Sequence, residues 1–180
     1  MPDPAPPPRI SPYLLYEDVG VMLEWLARAF GLRARARQTG PDGRLAHAEM
    51  TLADDAQAVI LMGCPGPQYR NPRRAGQVTQ YLYVRVQDVD RQFEQAVKAG
   101  AVVLEKPADQ PYGDRRCGVE DPEGHRWYFA APIDCAISAL GHSSGLHTAR
   151  ICQSLMRASI IDAGLCYRHD MRDATRRGAA

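Results

Sequence analysis

Two residues just past the first quarter of the chain, His47 and Glu49, have the types and the spacing that acid–base chemistry requires. They lie in residues 46–52, a stretch whose pattern predicts a strand, and residues two apart on a strand point to the same side of a sheet. A histidine beside a carboxylate can act as a base with an acid partner, or supply half of a metal site. The alternative without chemistry is an ion pair of Glu49 with Arg85 or Arg126.

A second group of side chains is suited to binding. Tyrosines alternate with aliphatic residues in the segments around positions 13 and 83, so aromatic side chains share one face of each predicted strand. Alternation in four predicted strands, with one residue from a fifth, assigns a set of residues to the face away from the helices: Ser11, Tyr13, His47, Glu49, Thr51, Met62, Tyr81, Tyr83, Arg85, Arg126 and Tyr128. Such a face suits a flat, partly polar organic molecule. A half-solvated sheet surface and a dimer contact are the alternatives.

The elements that position these residues occur twice in the sequence. Adding 70 to a position takes Tyr13 to Tyr83 and Asp18 to Asp88, and in each copy a strand is followed by Asp-Val and a helix. Asp18 and Asp88 are therefore predicted N-caps. Three further strands follow each helix, which gives the order βαβββ in both copies. Two half-sheets of this kind can pair, and the cleft between them is the expected place for function.

Proline, glycine and charge divide the chain into three predicted parts. They are a disordered Pro-rich lead-in at 1–9, a domain at 10–131 and a C-terminal extension of uncertain structure at 132–180. Within the domain, a linker at 64–77 joins the two repeats, 10–63 and 78–131. The extension contains cysteines and histidines, but none has the tight spacing of a zinc knuckle.

Composition narrows the classes of partner. A net charge of +1 and a pI near 7.7 give no field strong enough to predict binding to nucleic acid or to a membrane surface. No apolar run is long enough to predict a membrane span, and the N-terminus lacks the apolar core of a signal peptide. The 5 cysteines are an odd number with wide spacings, which favours reduced thiols. A cytoplasmic location is expected.

The two tandem repeats end in a recognisable motif. With Asp-Val at each helix start, the run Tyr112-Gly-Asp-Arg-Arg-Cys-Gly-Val-Glu-Asp-Pro-Glu-Gly-His-Arg-Trp127 resembles the glyoxalase/bleomycin-resistance/extradiol-dioxygenase family, also called the vicinal oxygen chelate superfamily. The resemblance covers residues 9–131. It implies an α+β fold in which two tandem βαβββ units form paired cup-shaped mixed sheets, edge to edge, with the helices on the outer face and a ligand or metal inside the cup.

The resemblance also implies where a metal would bind. Metal-dependent members of the family use a histidine on the first strand, a glutamate at the end of the fourth strand, and the equivalents of both in the second unit. These places fall on Ser11, Met62, Tyr81 and Tyr128 in this chain. Neutral side chains of these types supply neither carboxylate oxygen nor imidazole nitrogen, so we expect no metal and no cofactor.

Three functions remain open from the sequence. The first is a homodimeric, metal-independent binding protein, not an enzyme, that sequesters a small aromatic or polar compound such as a drug or toxin, as in antibiotic resistance. Its expected ligand-binding residues are Tyr13, Tyr81, Tyr83, Arg85, Arg126 and Tyr128. The second is a metal-dependent lyase, isomerase or dioxygenase that uses His47 and Glu49. The third is an interaction domain with an empty cup.

Overall fold

The computed structural model describes Pro8 and residues 10–133. The predicted lead-in, apart from Pro8, and nearly all of the predicted C-terminal extension lie outside the described residues. The first repeat consists of β1 (Tyr13–Leu15), α1 (Val19–Phe30), β2 (Arg33–Thr39), β3 (Leu45–Thr51) and β4 (Val59–Gly63). A short helix, α2 (Pro72–Ala75), precedes the second repeat, which consists of β5 (Tyr81–Arg85), α3 (Val89–Lys98), β6 (Val102–Asp109), β7 (Asp114–Glu120) and β8 (Arg126–Pro132).

Each repeat forms a four-stranded mixed sheet. The strand orders are β1-β4-β3-β2 and β5-β8-β7-β6, and the first strand of each repeat runs parallel to its last. These sheets and their helices confirm the predicted α+β fold of two βαβββ units. The expected edge-to-edge joining of the two sheets is not seen within residues 10–133, where hydrogen bonds define two separate sheets. Within these residues, β1 and β5 are therefore edge strands of their sheets.

The two long helices begin at the predicted caps. Asp18 accepts a hydrogen bond from the backbone N–H of Val21 at 3.0 Å, and Asp88 accepts one from Arg91 at the same distance. Helix α1 ends at Gly31, whose φ of 70° is left-handed and so favours glycine. The predicted apolar stripe of α1 is buried, so this is the side of the helix that packs against the sheet.

A shared core holds the repeats together. The ring of Phe30, at the end of α1, packs against Trp127 and Phe129 of β8 at centroid distances of 4.8 and 4.9 Å. Trp25 and Trp127 are both buried, as predicted. Burying a large apolar side chain stabilises a protein by about 1.5–3 kcal/mol, so these rings make separation of the repeats costly.

The segment between the repeats contains the one described element that the sequence did not predict. Pro72 occupies the start of α2, Asn71 caps it through a bond from the backbone N–H of Arg74 at 2.9 Å, and Gly76 ends it with a φ of 68°. All three are ordinary helix boundary signals. The high proline and glycine content instead favoured an irregular linker.

The turn between β7 and β8 carries a buried carboxylate. Asp121 accepts hydrogen bonds from Tyr16 Oη at 2.9 Å, from Trp127 Nε1 at 3.2 Å, and from the backbone N–H groups of Glu123 and His125. Desolvation by burial raises the pKa of Asp121 above its usual value. Four donors converge on this side chain, so it ties β8 to the end of β1.

A second carboxylate of the same turn reaches the other repeat. Glu123 accepts from the backbone N–H of Glu17 at 2.8 Å and of Asp18 at 3.2 Å. Desolvation raises the pKa of Glu123 as well. His125 Nε2 donates to the Leu15 carbonyl at 2.9 Å, in agreement with its predicted structural role. The turn of the second repeat thus holds the β1–α1 junction of the first.

The described residues divide into two parts, residues 10–108 with 115–131, and residues 109–114 with 132–133. In the second part, the described residues form a turn in which Gln110 N–H donates to the Asp114 carbonyl at 2.7 Å, and Ile133 N–H donates to the Gly113 carbonyl at 2.9 Å. Among the described residues, no helix has the length and apolar character to cross a membrane.

Candidate functional site

The face of the second sheet that lies away from the helices carries an array of tyrosines and arginines. Tyr81 packs edge-on against Tyr128, with ring centroids 5.0 Å apart and planes at 65°. Arg116 lies over the Tyr128 ring at 5.1 Å, and Arg85 lies over the Tyr83 ring at 5.4 Å. The predicted face is therefore correct for β5 and β8. Arg116, which the sequence did not single out, belongs to the array.

Gly118 explains how Tyr128 is placed. A Cβ atom at position 118 would come within 2.7 Å of Tyr128 Cε1, a separation that real Cβ atoms do not show. The tyrosine ring therefore lies against the bare backbone of β7. Because Tyr81 meets this ring at 65°, the Tyr81 ring is turned steeply away from the plane of its neighbour.

Ion pairs leave a surplus of positive charge in this array. Arg116 is satisfied by a bidentate pair with Glu105, at 2.8 and 3.1 Å. Glu120 is shared between Arg73, at 3.0 Å, and Arg126, at 3.9 Å. One carboxylate between two guanidinium groups leaves net positive charge beside Arg126, which is a suitable partner for an acidic ligand group.

The equivalent face of the first sheet is organised differently. Tyr13 Oη and His47 Nδ1 lie 3.0 Å apart in a hydrogen bond, and the Tyr13 ring lies over Gly63, where a Cβ would come within 2.5 Å of the tyrosine oxygen. Glu49 pairs with Arg35 at 3.8 Å. The prediction that Glu49 pairs with Arg85 or Arg126 was wrong. His47 and Glu49 share a face as predicted, but their described contacts are with Tyr13 and Arg35.

Strand β2 acquires its charge pattern from a bulge. Arg33 pairs with Thr51 and Arg37 with Ala48, with a register shift between Ala34 and Ala36. The shift breaks strict alternation, so Arg37 turns to the helix side, where it pairs with Glu24 of α1 at 3.3 Å.

The assignment of Met62 to the cup face was wrong. Met62 is 0 % exposed, and in register it lies beside Leu14 and Ala48, which are also buried against the helix. The positions of β4 that share a face with Tyr13 are one residue to either side, Leu61 and Gly63. A shift of one residue moves every side chain of a strand to the opposite face.

The family's metal ligand positions do not fit a divalent cation here. With β4 corrected, they carry Ser11, Leu61, Tyr81 and Tyr128, and Tyr128 is packed against Gly118 and Tyr81. In the part of the chain that the structure describes, no three His, Cys, Asp or Glu side chains come together. His47 and Glu49 therefore have no third ligand of these types among residues 10–133.

A cleft of about 590 Å³ follows the open edge of β5. All five residues of β5 border it, so it touches both faces of that strand. Its apolar wall comes from residues that the sequence did not assign to a site: Phe30, Leu32, Leu52, Val59, Ile60, Trp127 and Phe129. Of the predicted ligand-binding residues, Tyr81, Tyr83 and Arg85 line the cleft, whereas Tyr13, Arg126 and Tyr128 do not. A cleft between the repeats was expected, but the residues of its apolar wall were missed because they depend on how the two repeats pack.

Comparisons with known proteins agree with this architecture. The chain is 32 % identical over 133 residues to an uncharacterized protein of Mycobacterium tuberculosis strain H37Rv, an alignment that covers 70 % of this chain and 75 % of the relative. A similar protein of Mycobacterium bovis is also 32 % identical, with 70 % and 84 % covered.

Solved structures share the fold. TioX from Micromonospora sp. ML1 is 31 % identical, with a TM-score of 0.56 over 69 % of this chain and 98 % of that one. The fosfomycin resistance protein FosX from Listeria monocytogenes, whose crystal structure holds Mn(II) and a dihydroxypropylphosphonic acid, has a TM-score of 0.50 at 13 % identity over 73 % and 95 % of the chains, which shows the fold alone. The family model matches residues 9–129, so the chain belongs to the Glyoxalase/Bleomycin resistance protein/Dioxygenase superfamily.

Proposed function

We propose that this protein binds a small organic molecule with aromatic character on the tyrosine and arginine array of its second sheet, without a metal, and that it acts by sequestering a drug or toxin. The observation that carries the proposal is the array itself. It places exposed tyrosine rings next to surplus positive charge, beside a cleft whose volume lies within the usual range of about 300–1,000 Å³ for small-molecule sites.

The exposure of these rings supports binding as their role. Tyr81 is 61 % exposed and Tyr83 is 41 % exposed, although both lie in a regular strand next to a large apolar core. Aromatic side chains contribute large contact areas at interfaces, and their hydroxyl groups keep a polar end available. An aromatic surface that is held in place before the ligand arrives loses little entropy on binding.

We further propose that the protein is a homodimer. Strands β1 and β5 are edge strands, and the side chains Tyr13, Leu15, Tyr81 and Tyr83 are all exposed, although the Leu15 carbonyl of β1 already accepts hydrogen bonds from Tyr69 Oη and His125 Nε2 at 2.9 Å. An open, aromatic strand edge without proline or lysine is a template for pairing with another chain. A second copy would cover these edges, and light scattering across a range of protein concentrations tests this. A strictly monomeric protein at high concentration contradicts it.

Ligand screening by thermal shift tests the main proposal, followed by calorimetric titration of the compounds that stabilise the protein. Tyr128→Ala should weaken binding because it removes the ring at the centre of the array. Val97→Ala is a matched control, because Val97 is an exposed apolar side chain of α3 and, at 41 %, as exposed as Tyr83. Equal affinity in Tyr128→Ala and wild type would place the ligand elsewhere.

Metal analysis tests the second part of the proposal. Protein purified without chelators should contain no stoichiometric divalent ion, because the ligand positions carry neutral side chains. A stoichiometric ion that is lost in His47→Ala and in Glu49→Ala would contradict metal-independent binding, and would favour an enzyme instead.

A further inference from the structure

We propose that the cleft of about 590 Å³ between the two repeats is a second ligand site, and that it takes a compound with a compact aliphatic body and one protonated amine. This second site lies on the helix-facing side of β5, beyond the site of the proposed function, which is the array on the opposite side of that strand. Its walls, the lack of free polar side chains in its deep part and the charge at its mouth define the ligand class.

The wall from the second repeat is aliphatic where it follows β5. Leu82 and Val84 border the cleft and are partly buried against the shared core. Their register partners on β8 are Trp127 and Phe129, which also border the cleft and are each 1 % exposed. Since alternate residues of a strand point to opposite faces, this wall belongs to the face opposite to the tyrosines of β5.

The other wall comes from the first repeat. Leu32, after α1, and Ile60, on β4, border the cleft, and both are nearly buried in the shared core. Phe30 joins the two walls, because its ring packs against Trp127 and Phe129 at centroid distances of 4.8 and 4.9 Å. Branched aliphatic side chains give an irregular surface, which a compact aliphatic body fills better than a flat ring does.

The deep part of the cleft offers no free polar side chain. Of the side chains in its apolar wall, only Trp127 has a polar atom, Nε1, and this atom already donates to Asp121 at 3.2 Å. Among residues 10–133, no buried side-chain nitrogen or oxygen lacks a hydrogen-bond partner. A polar ligand group in this part would lose its water without gaining a side-chain hydrogen bond, so the body of the ligand must be apolar.

The mouth of the cleft, formed by Asp54, Asp55, Gln57 and Arg85, carries a net negative charge. The Asp54 side chain forms no ion pair or hydrogen bond among residues 10–133, and Asp55 accepts only the backbone N–H of Gln57, at 2.8 Å. The guanidinium carbon of Arg85 lies 5.4 Å from the centre of the Tyr83 ring, and neither aspartate pairs with this group. Two carboxylates therefore face one guanidinium.

An amine joined to an aliphatic body matches this arrangement. The ammonium group can stay at the wet mouth while the body fills the deep part, as the stem and head of a lysine side chain do at protein surfaces. It meets Asp54 without breaking an existing ion pair, whereas a carboxylate on the same body would be repelled. The cleft thus favours a cation and the array, beside Arg126, favours an acidic group, so the two sites differ in the charge of their ligands.

Four probes test the second site, each titrated by calorimetry into the full chain at one ionic strength. They are protonated 1-aminoadamantane, neutral 1-adamantanol, the anion 1-adamantanecarboxylate, and ethylammonium, which has the charge without the body. We expect the amine to bind about threefold more tightly than the alcohol and about tenfold more tightly than the carboxylate, because attraction and repulsion between partly exposed charges each contribute a factor of about three. Ethylammonium should not bind measurably.

Charge variants locate the amine. Asp54→Asn combined with Asp55→Asn removes both charges but keeps an acceptor for the N–H of Gln57, and should bring the amine to the affinity of the alcohol. Asp42→Asn is the matched control, since Asp42 also accepts a backbone N–H two residues further on, in an exposed turn that does not border the cleft. This control should retain the full preference for the amine.

Size variants locate the aliphatic body. Ala58 borders the cleft, so Ala58→Phe should narrow it and weaken binding of the amine about tenfold or more. Ala56 lies two residues earlier in the same turn and does not border the cleft, so Ala56→Phe should leave the affinity unchanged. Tyr128→Ala, which removes a ring of the array, should leave the affinity for the amine unchanged as well.

Equal binding of the amine and the carboxylate overturns the second site, as does unchanged affinity for the amine in folded Ala58→Phe. If circular dichroism shows that Ala58→Phe does not fold, the paired Asn substitutions decide, and an unchanged preference for the amine overturns it. A fall from dimer to monomer mass in light scattering when the amine is added would assign the cleft to a second copy instead. If no adamantane probe binds, the second site is wrong and the array, which has its own ligand screen, is unaffected.

Discussion

The two repeats share one backbone plan but use it for different purposes. Tyr13 and Tyr83 occupy the same position in the two copies, yet Tyr13 lies over Gly63 and bonds to His47, while Tyr83 stacks with Arg85. The register explains the difference. The position of β8 that corresponds to Gly63 is Ala130, so the second repeat carries a Cβ where the first repeat has bare backbone under the Tyr13 ring.

The repeats also differ in the turn before their last strand. In the second repeat this turn carries the buried carboxylates of Asp121 and Glu123, which hold the first repeat. In the first repeat the corresponding turn, residues 52–58, is largely exposed. The two copies of a duplicated unit can therefore have different roles, because one copy makes contacts that the other lacks. Here the second repeat carries both the aromatic array and the two buried carboxylates of Asp121 and Glu123, which we call the clamp.

The largest expected effect is on the clamp. Asp121→Ala leaves Tyr16 Oη, Trp127 Nε1 and two backbone donors without their acceptor in a buried site, and should cost about 3–5 kcal/mol of unfolding free energy. Asp54→Ala, in the exposed turn of the first repeat, is the matched control and should change stability by less than about 0.5 kcal/mol. Urea denaturation measures both. Similar losses in the two variants would show that the turns do not differ.

Backbone strain gives the next contrast. Gly124 has a φ of 97°, and a Cβ there would lie 2.5 Å from the backbone nitrogen of Arg73, so Gly124→Ala should cost about 3 kcal/mol. Gly43 has a φ of 78° with no atom within 4 Å, so Gly43→Ala should cost only about 1 kcal/mol of local strain. Thermal denaturation of the two variants compares them. Equal costs would mean that α2 moves away from the turn without penalty.

A double-mutant cycle tests the different placement of the two tyrosines. Gly63→Ala should displace the Tyr13 ring, break its bond to His47 and cost about 1–2 kcal/mol. In a Tyr13→Ala background the same substitution should cost much less, because the ring that it displaces is gone. The coupling is read from the unfolding free energies of the four proteins. Identical costs in both backgrounds would exclude the contact between position 63 and Tyr13 as their source.

The ionisation of Glu17 and that of Glu123 should make the stability of the protein depend on pH in opposite directions. The backbone N–H of Asn71, followed by Arg74, lowers the pKa of Glu17, whereas desolvation raises the pKa of Glu123. Glu17 therefore contributes stability above its unfolded pKa, near 4.5, and this contribution is lost as the pH falls through the lower folded value. Glu123 has the reverse sign. Its contribution is fully present below the unfolded pKa and is lost as the pH rises through the raised folded value.

Two variants measure these slopes. The destabilisation caused by Glu17→Gln should grow as the pH rises from acid to neutral, and the destabilisation caused by Glu123→Gln should shrink over the same range. Denaturant titrations at several pH values, all at the same ionic strength, give the loss of unfolding free energy in each variant as a function of pH. Parallel curves for the two variants would contradict the opposite shifts.

Local signals in the sequence were sufficient for the elements of each repeat. The caps at Asp18 and Asp88 and the alternation in β1, β3, β5 and β8 each depend on residues close together in the chain, so they could be predicted. Strand β4 could not be predicted in this way. Its residues from Val59 to Met62 are apolar without interruption, which hides the two-residue period, and only pairing with β1 and β3 decides which of them face the helix.

The parts of the site that were missed depend on contacts far apart in the chain. The pair of Tyr13 and His47 spans 34 positions and requires a bare backbone at Gly63. The pair of Tyr16 and Asp121 spans 105 positions. No pattern in a single sequence reports such distances. The sequence shows glycines at 63 and 118. That tyrosine rings pack against their backbone could be predicted only from the register of the neighbouring strands.

The bulge in β2 decides on which face of the first sheet Arg37 lies. Strict alternation would place Arg33, Arg35 and Arg37 on the same face, and the one extra residue sends Arg37 to Glu24 instead. Deleting the extra residue would leave Arg37 opposite Ala48 and beside Glu24, because the residues after the bulge keep their register. A slip of the strand by one residue, with no change of residue type, would instead turn Arg37 to the open face of the first sheet and take it away from Glu24.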